Sequence, residues 1–318
     1  MTLLADIASI LLNGLQQGAI FALLGIGLTI ILGTMEFLNL AHGALYLVGA
    51  YTGMYVFRES ALNSGILFSL GIEAFGLDLG FLAALIIVPL VGLVVGAVME
   101  RTVAKPFYDR PETDQLLVTF GLALIVSELF KATVGGDTFQ PVTPQQILGT
   151  SVSGPVSLPV VGAFPKWRLF IVGIAVAVIA ATYLLIERTD FGLVVQAGTH
   201  DAEMVRLLGI RIERSYSLVF AVGAALAALA GLIGASFQTI SPQIGTERAL
   251  VPAFLTIVVG GAGSVPGAIV GGVVLGVVVT AVVQSPFAQW AQIVLYALVA
   301  LVLVFRPEGI MPKQGVGE

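Results

Sequence analysis

Residues 35–51 read MEFLNLAHGALYLVGAY, from Met35 to Tyr51, and they interrupt two strongly apolar runs with Glu36, Asn39 and His42. Gly33, Gly43, Gly49 and Gly53 stand around the same point. A polar, glycine-rich break of this kind divides one long hydrophobic stretch into two helices. Backbone that leaves regular helix at membrane depth is tolerated only where it faces protein or a wet cavity. The functional reading makes Asn39, His42 and Gly43 part of a pathway wall. The structural reading has Asn39 and His42 bonding to neighbouring helices while the glycines allow close packing. Ionisable groups are rare inside membranes, which keeps the functional reading of His42 in play. Glu36 falls at the expected membrane edge and reads as a solvated end-of-helix charge.

Working outward, 58% of the 318 residues are hydrophobic and only 10% are charged. The mean hydropathy is +1.03. Soluble domains carry about 25% charged residues, so lipid must cover much of this chain, and it reads as an integral membrane protein. No basic run suggests nucleic acid. With no cysteine and two histidines, His42 and His200, neither a disulfide framework nor a histidine-rich metal site is expected. The leader MTLLADIASILLNGLQQGAIF lacks a basic n-region and reads as the start of the first span.

Because a bilayer core needs about 20 apolar residues per helix, spans are expected at 7–32, 38–57, 80–99, 115–133, 169–186 and 215–236. Two more should meet at a turn within 260–267, and a final helix should run over 289–305. This gives about nine helices in an all-α, polytopic fold, a single transmembrane domain over 1–318. The loop at 101–114 holds Arg101, Lys105 and Arg110. That at 187–214 holds Arg188, Arg206, Arg211 and Arg214, and the tail holds Arg306 and Lys313. The positive-inside rule makes these cytoplasmic. The segment 135–165 has no Lys or Arg and is expected outside, as is the N-terminus. GIGLTIILGTMEFLNLAHGALYLVGAY and LAGLIGASFQTISPQIGTERALVPAF each run helix, polar break, helix, which admits an inverted repeat with broken helices as one reading.

Uncharged polar groups at Thr119, Gln238, Thr239, Gln243 and Thr256 suit a path for small polar solutes. Glu128 and Lys131 stand three apart and are expected to pair. GGAGSVPG resembles a phosphate loop only superficially, because Ala268 follows where Lys and Ser/Thr are required. It reads as a tight turn, followed by the helix-packing spacing of Gly267, Gly271, Gly272 and Gly276. In the cytoplasmic loop 187–214, Asp201 offers an N-terminal charge to a short amphipathic helix carrying Met204, Val205, Leu207 and Leu208 and stopped by Gly209. That helix either lies on the headgroups or docks into another protein.

Taken together, GLQQGAIFALLGIGLTIILG, LNLAHGALYLVGAY, FGLVVQAGTHDAEMVRLLGI, VVGGAGSVPGAIVGGVVLG and the closing FRPEGIM resemble the permeases of ABC importers for branched-chain amino acids, specifically the shorter LivH-like subunit. The resemblance implies a plasma-membrane protein of a prokaryote. It would form a translocation path with a second, homologous permease, fed by an external solute-binding protein. Two cytoplasmic ATPases would carry the ATP and magnesium, leaving this chain without cofactor, catalytic residue or enzymatic activity. Ala197, Gly198, Asp201, Leu208 and Gly209 match the family's ATPase-coupling helix. Gln196 and His200 depart from it, standing where a basic residue and an acidic or amide residue are usual. Asn39, Ala41, His42 and Gly43 match the first-half motif. Ala44 stands where the related urea permeases often keep an acid, which favours amino acids over urea or short amides. The path on this reading is lined by Asn39, His42, Gly43, Thr119, Gln238 and Thr256. A channel or ion-coupled carrier is the alternative of another class. It would need a buried acid, for which Glu128, beside Lys131, is the one mid-span candidate. An intramembrane enzyme would need His42 as a base.

Overall fold

The computed structural model describes residues 3–143, 146–147, 150–159, 161–200, 202–207 and 212–311. Its helices are α1 (Leu3–Met35), α2 (His42–Phe57), α3 (Gly65–Ser69), α4 (Phe81–Met99), α5 (Glu112–Val134), α6 (Lys166–Arg188), α7 (Asp190–His200), α8 (Ala202–Leu207), α9 (Ile212–Gly234), α10 (Val251–Gly260), α11 (Val265–Val283) and α12 (Ala291–Phe305). Among the described residues, seven helices are long and apolar enough to cross a membrane: α1, α4, α5, α6, α9, α11 and α12, with α4 and α12 extended by short helical turns. The two other expected spans are shorter. Residues 38–41 are not helical, so α2 keeps 16 residues and about 24 Å, and α10 with 10 residues rises about 15 Å. Both follow a polar break, and neither alone covers a hydrocarbon core of about 30 Å.

The loops hold small antiparallel pairings absent from the all-α expectation. Ser60–Ala61 pairs with Ala74–Phe75, Gln146–Ile147 with Thr150–Ser151, and Pro155–Leu158 with Gly162–Pro165. Short, proline- and glycine-rich segments cannot sustain a helix, and a hairpin satisfies their backbone groups instead.

The helices group into two compact units. One comprises 30–143 and 185–251. Its centre is α2, where only Val48, Thr52 and Phe57 escape full burial, as expected of a helix apolar all round. α2 packs on α4 and α9, and glycines set the separation. A Cβ on Gly92 would lie 2.8 Å from the Ala225 Cα, and one on Gly49 would collide with the Ala228 backbone.

The second unit comprises the described residues of 1–29, 144–184 and 252–318. There α1 and α11 run in near backbone contact: a Cβ on Gly18 would sit 2.8 Å from the Val273 Cα, and one on Gly276 would strike Gly18. The expected small-residue packing of α11 is therefore present. GGAGSVPG forms the tight α10–α11 turn, with Gly261 and Gly263 at φ 111° and 78° and the Ser264 hydroxyl accepting from the Gly267 N–H at 3.1 Å. The FRPEGIM segment folds back on the same turn. Ile310 N–H donates to the Val259 carbonyl at 2.8 Å and Met311 N–H to that of Gly260 at 2.9 Å, satisfying carbonyls that the end of α10 would otherwise leave open.

Candidate functional site

The first break begins where α1 stops. Glu36 adopts φ 49°, a left-handed conformation that terminates the helix while its N–H still reaches the Leu32 carbonyl at 3.0 Å. Its side chain is exposed, in keeping with a solvated end charge. The following residues turn inward: Phe37, Asn39, Ala41 and His42 are all 0% exposed.

Unpaired backbone in such a place must find partners, and α5 supplies them. Leu38 N–H donates to Gln115 Oε1 at 3.2 Å and Leu40 N–H to Thr119 Oγ1 at 3.0 Å. The Gln115 amide in turn donates to the carbonyls of Phe107 and Arg110, at 3.3 and 3.2 Å. Thr119 is thus a clamp on the break. Farther along the same face, Ser127 Oγ donates to the Pro242 carbonyl at 2.7 Å. Gln115, Thr119, Ala123 and Ser127 form one buried line at four-residue spacing on a helix whose other faces carry exposed Leu117, Leu124, Ile125 and Leu129. Thr119 was expected from sequence, as a path-lining group rather than as a clamp. Gln115 and Ser127 were not, although the spacing that unites them is legible there.

The second break, residues 235–250, lies in the same unit. The loop after α5 holds its first part: Val142 N–H donates to the Ala235 carbonyl at 2.8 Å, and Phe139 and Ile240 exchange backbone bonds at 2.8 and 2.9 Å. Gln238 lies in this stretch, with its Oε1 buried and without a hydrogen-bond partner. The chain then reaches Gly245, which meets Gly43. A Cβ on either would collide with the other's carbonyl oxygen. The two breaks of the sequence are therefore in backbone contact. A π-helical turn, Thr246–Leu250, follows before α10. Buried at this junction without hydrogen-bond partners are both amide atoms of Asn39 and the hydroxyl of Tyr46.

Thr256 sits in the other unit. It is 0% exposed, its hydroxyl returns to the Pro252 carbonyl at 2.8 Å, and a Cβ on Gly25 would lie against its side chain. The structure brings Asn39, His42, Gly43 and Thr119 together, with Gln238 farther along the second break and Thr256 in the packing of the second unit.

One buried carboxylate escaped the sequence reading. Glu100 is 1% exposed, where α4 loosens into the π-helical turn Glu100–Ala104. It accepts from Tyr108 Oη and from Ser217 Oγ, both at 2.6 Å. Short O–H donors of this kind stabilise a buried carboxylate strongly. Burial, then the bonded Glu100, pushes the Tyr108 phenol well above its ordinary value. Phe37 stacks edge-on against Tyr108 at 5.8 Å, tying this cluster to the first break.

In the loop that was expected to couple, the structure has two helices, α7 and α8. Ala197 and Gly198 lie in α7, while Asp201, Leu208 and Gly209 lie outside the described residues. Leu193, Met204 and Leu207 are 62%, 52% and 77% exposed, whereas Val195 and Val205 are buried. Gln196 donates to the Ile186 carbonyl at 3.2 Å and so helps to close the end of α6. Glu128 and Lys131 form the expected pair at 3.4 Å on an exposed face. Among the described residues no cluster of three or more potential metal ligands occurs.

The sequence model of the branched-chain amino acid transport system permease component matches residues 10–303. The chain is 31% identical over 308 residues to the high-affinity branched-chain amino acid transport system permease protein BraD of Pseudomonas aeruginosa, covering 96% of each. It is 31% identical over 310 residues to the permease protein LivH of Salmonella typhimurium, covering 96% of this chain and 95% of that one. Similarity extends to LivM of the same organism, at 27% over 313 residues, covering 92% of this chain and 68% of LivM. No solved structure matches the chain.

Proposed function

The chain belongs to the branched-chain amino acid transport permease family, and from that premise we propose that it forms, with a second homologous permease, the membrane path of an ATP-driven importer for branched-chain amino acids. The observation that carries this reading is the junction of two helix breaks, held by Gln115, Thr119 and Ser127 and closed by the contact of Gly43 with Gly245. Broken helices meeting inside a bundle expose backbone and polar groups where an unbroken helix presents only apolar side chains. Two breaks in contact give a point about which the wall of a path can rearrange. Asn39, His42, Gly43 and Thr119 belong to that point, with Gln238 farther along the second break, while Thr256 belongs to the packing of the other unit.

The similarity to both LivH and LivM, which are distinct permeases of one organism, supports pairing with a second permease. The exposed apolar side chains of Leu193 and Leu207, on helices of an expected cytoplasmic loop, support a docking contact with an ATPase. In this assembly ATP and magnesium reside on two ATPase subunits, an external binding protein delivers the solute, and the C-terminus faces the cytoplasm with the N-terminus outside. Closure of the ATPases would move 190–207 and, through α9, the Ser217–Glu100 contact and the breaks beyond it.

The test is purification of the tagged chain together with the products of its neighbouring genes. An ATPase that copurifies, and whose activity rises with loaded binding protein, is the expected result. A chain that purifies with no ATPase under conditions that keep its membrane partners bound contradicts the reading.

A further inference from the structure

Two charges occupy the second break. Glu247 and Arg248 lie on the π-helical turn Thr246–Leu250, both are exposed, and among the described residues neither joins an ion pair. Two rulers place them in depth. Pro242 is bonded to Ser127, seven residues and about 10 Å from the outer-loop end of α5. Gly245 meets Gly43, 14 residues and about 21 Å from the end of α2 that enters the other outer loop. Both put Glu247 and Arg248 well inside a core of about 30 Å. Exposed charges at that depth are too costly to leave against lipid, so they face water or a partner permease.

We infer that Glu247 and Arg248 face the translocation path and form a paired-charge station that an amino-acid zwitterion contacts with both of its charged groups. This inference rests on the import reading and sharpens it. Consecutive side chains on a helical turn diverge, so neither charge satisfies the other. The guanidinium offers a fork to a carboxylate, and the Glu247 carboxylate accepts from an ammonium group. Arg248 also stands close enough for its charge to act on the buried, unpartnered Tyr46 hydroxyl, which places the pair at the junction of the breaks. Opposite charges side by side present no net barrier to a neutral zwitterion, whereas an ion of either single sign meets one repelling group. Such a pair selects for the backbone of an amino acid and is indifferent to its side chain.

The chain has no cysteine, so Glu247→Cys and Arg248→Cys each introduce the one thiol of this subunit. In the assembled transporter in liposomes, each variant is treated with a charged, membrane-impermeant thiol reagent, and labelling of this chain is read by mass spectrometry. The expected result is labelling whose rate changes about tenfold between the nucleotide-free and vanadate-trapped states and falls when excess leucine and binding protein are present. Labelling by a lipophilic maleimide alone would assign these positions to lipid. Labelling in the isolated chain but in no state of the assembly would assign them to a subunit interface. Either outcome overturns the inference. Uptake gives a second readout: Arg248→Gln and Glu247→Gln lower leucine uptake about tenfold, while Arg248→Lys retains most of it. Unchanged uptake in both glutamine variants also overturns it. Failure of the unmodified assembly to take up leucine with ATP counts against the import reading instead.

Discussion

The two breaks share a pattern, long helix, polar interruption, shorter helix, yet they are closed in opposite ways. The first is buried from Phe37 to His42 apart from partly covered Leu38 and Leu40, and its backbone is clamped by Gln115 and Thr119. The second is anchored by the loop after α5 and by Ser127, then leaves Thr239, Glu247 and Arg248 exposed. A break whose backbone is clamped by side chains of a neighbouring helix is a fixed corner. One that shows charges at membrane depth requires an aqueous or protein neighbour. The same interruption of a helix can therefore position a wall or be the wall.

The contact between the two breaks is the point most sensitive to substitution. Gly43→Val drives side-chain atoms into the Gly245 carbonyl and should cost about 3 kcal/mol or more. Thermal unfolding of the purified protein checks it, and a wild-type melting point would mean that the breaks do not touch. A smaller effect tests the clamp. Gln115→Leu and Thr119→Val each leave a partly buried N–H of the first break without its acceptor, at about 1–3 kcal/mol. Thr239→Val, at an exposed position in the second break, should stay within about 0.5 kcal/mol. Equal shifts at Thr119 and Thr239 would erase the distinction drawn between the breaks.

An alkaline titration sharpens the first break's attachment to the Glu100 cluster. The Tyr108 phenol is raised above its ordinary value of 10.0 by burial and by Glu100. Above that pH the unfolded chain loses this proton while the folded protein retains it. The contribution is full below pH 10 and declines as pH rises toward the folded value. Tyr108→Phe should therefore make the loss of stability above pH 10 shallower, by at most about 1.4 kcal/mol per pH unit, as read from melting temperatures across that range. An unaltered slope would detach Tyr108 from the buried carboxylate.

Much of the architecture was legible because the bilayer imposes it: apolar runs of membrane length, glycines at helix spacing, and most of the lysines and arginines clustered outside those runs. The break at 36–41 announced itself through Asn39 and Gly43. The shortness of α2 and α10 was less visible, because an apolar run does not record where its backbone stops being helical. Glu100 was hidden for a different reason. At the end of an apolar run a glutamate reads as an interfacial charge, and the donors that permit its burial stand eight and 117 residues away. The pairings in the loops and the fold-back of FRPEGIM onto α10 are likewise products of backbone pairing outside the helices. The Gln115–Thr119–Ser127 line lay open to inspection, since four-residue spacing of polar groups within an apolar helix marks a face turned toward protein.

The central claim is that the junction of the two breaks serves an ATP-driven import path. Its most direct test is leucine uptake into liposomes that contain this chain with its partner permease and ATPases, with binding protein added on the external side. The expected result is uptake that requires ATP, vanishes when the ATPases are made hydrolysis-deficient, and is lost in Gly43→Val protein that still reaches the membrane. Uptake that continues without ATP, or that proceeds undiminished through the Gly43→Val transporter, would contradict it.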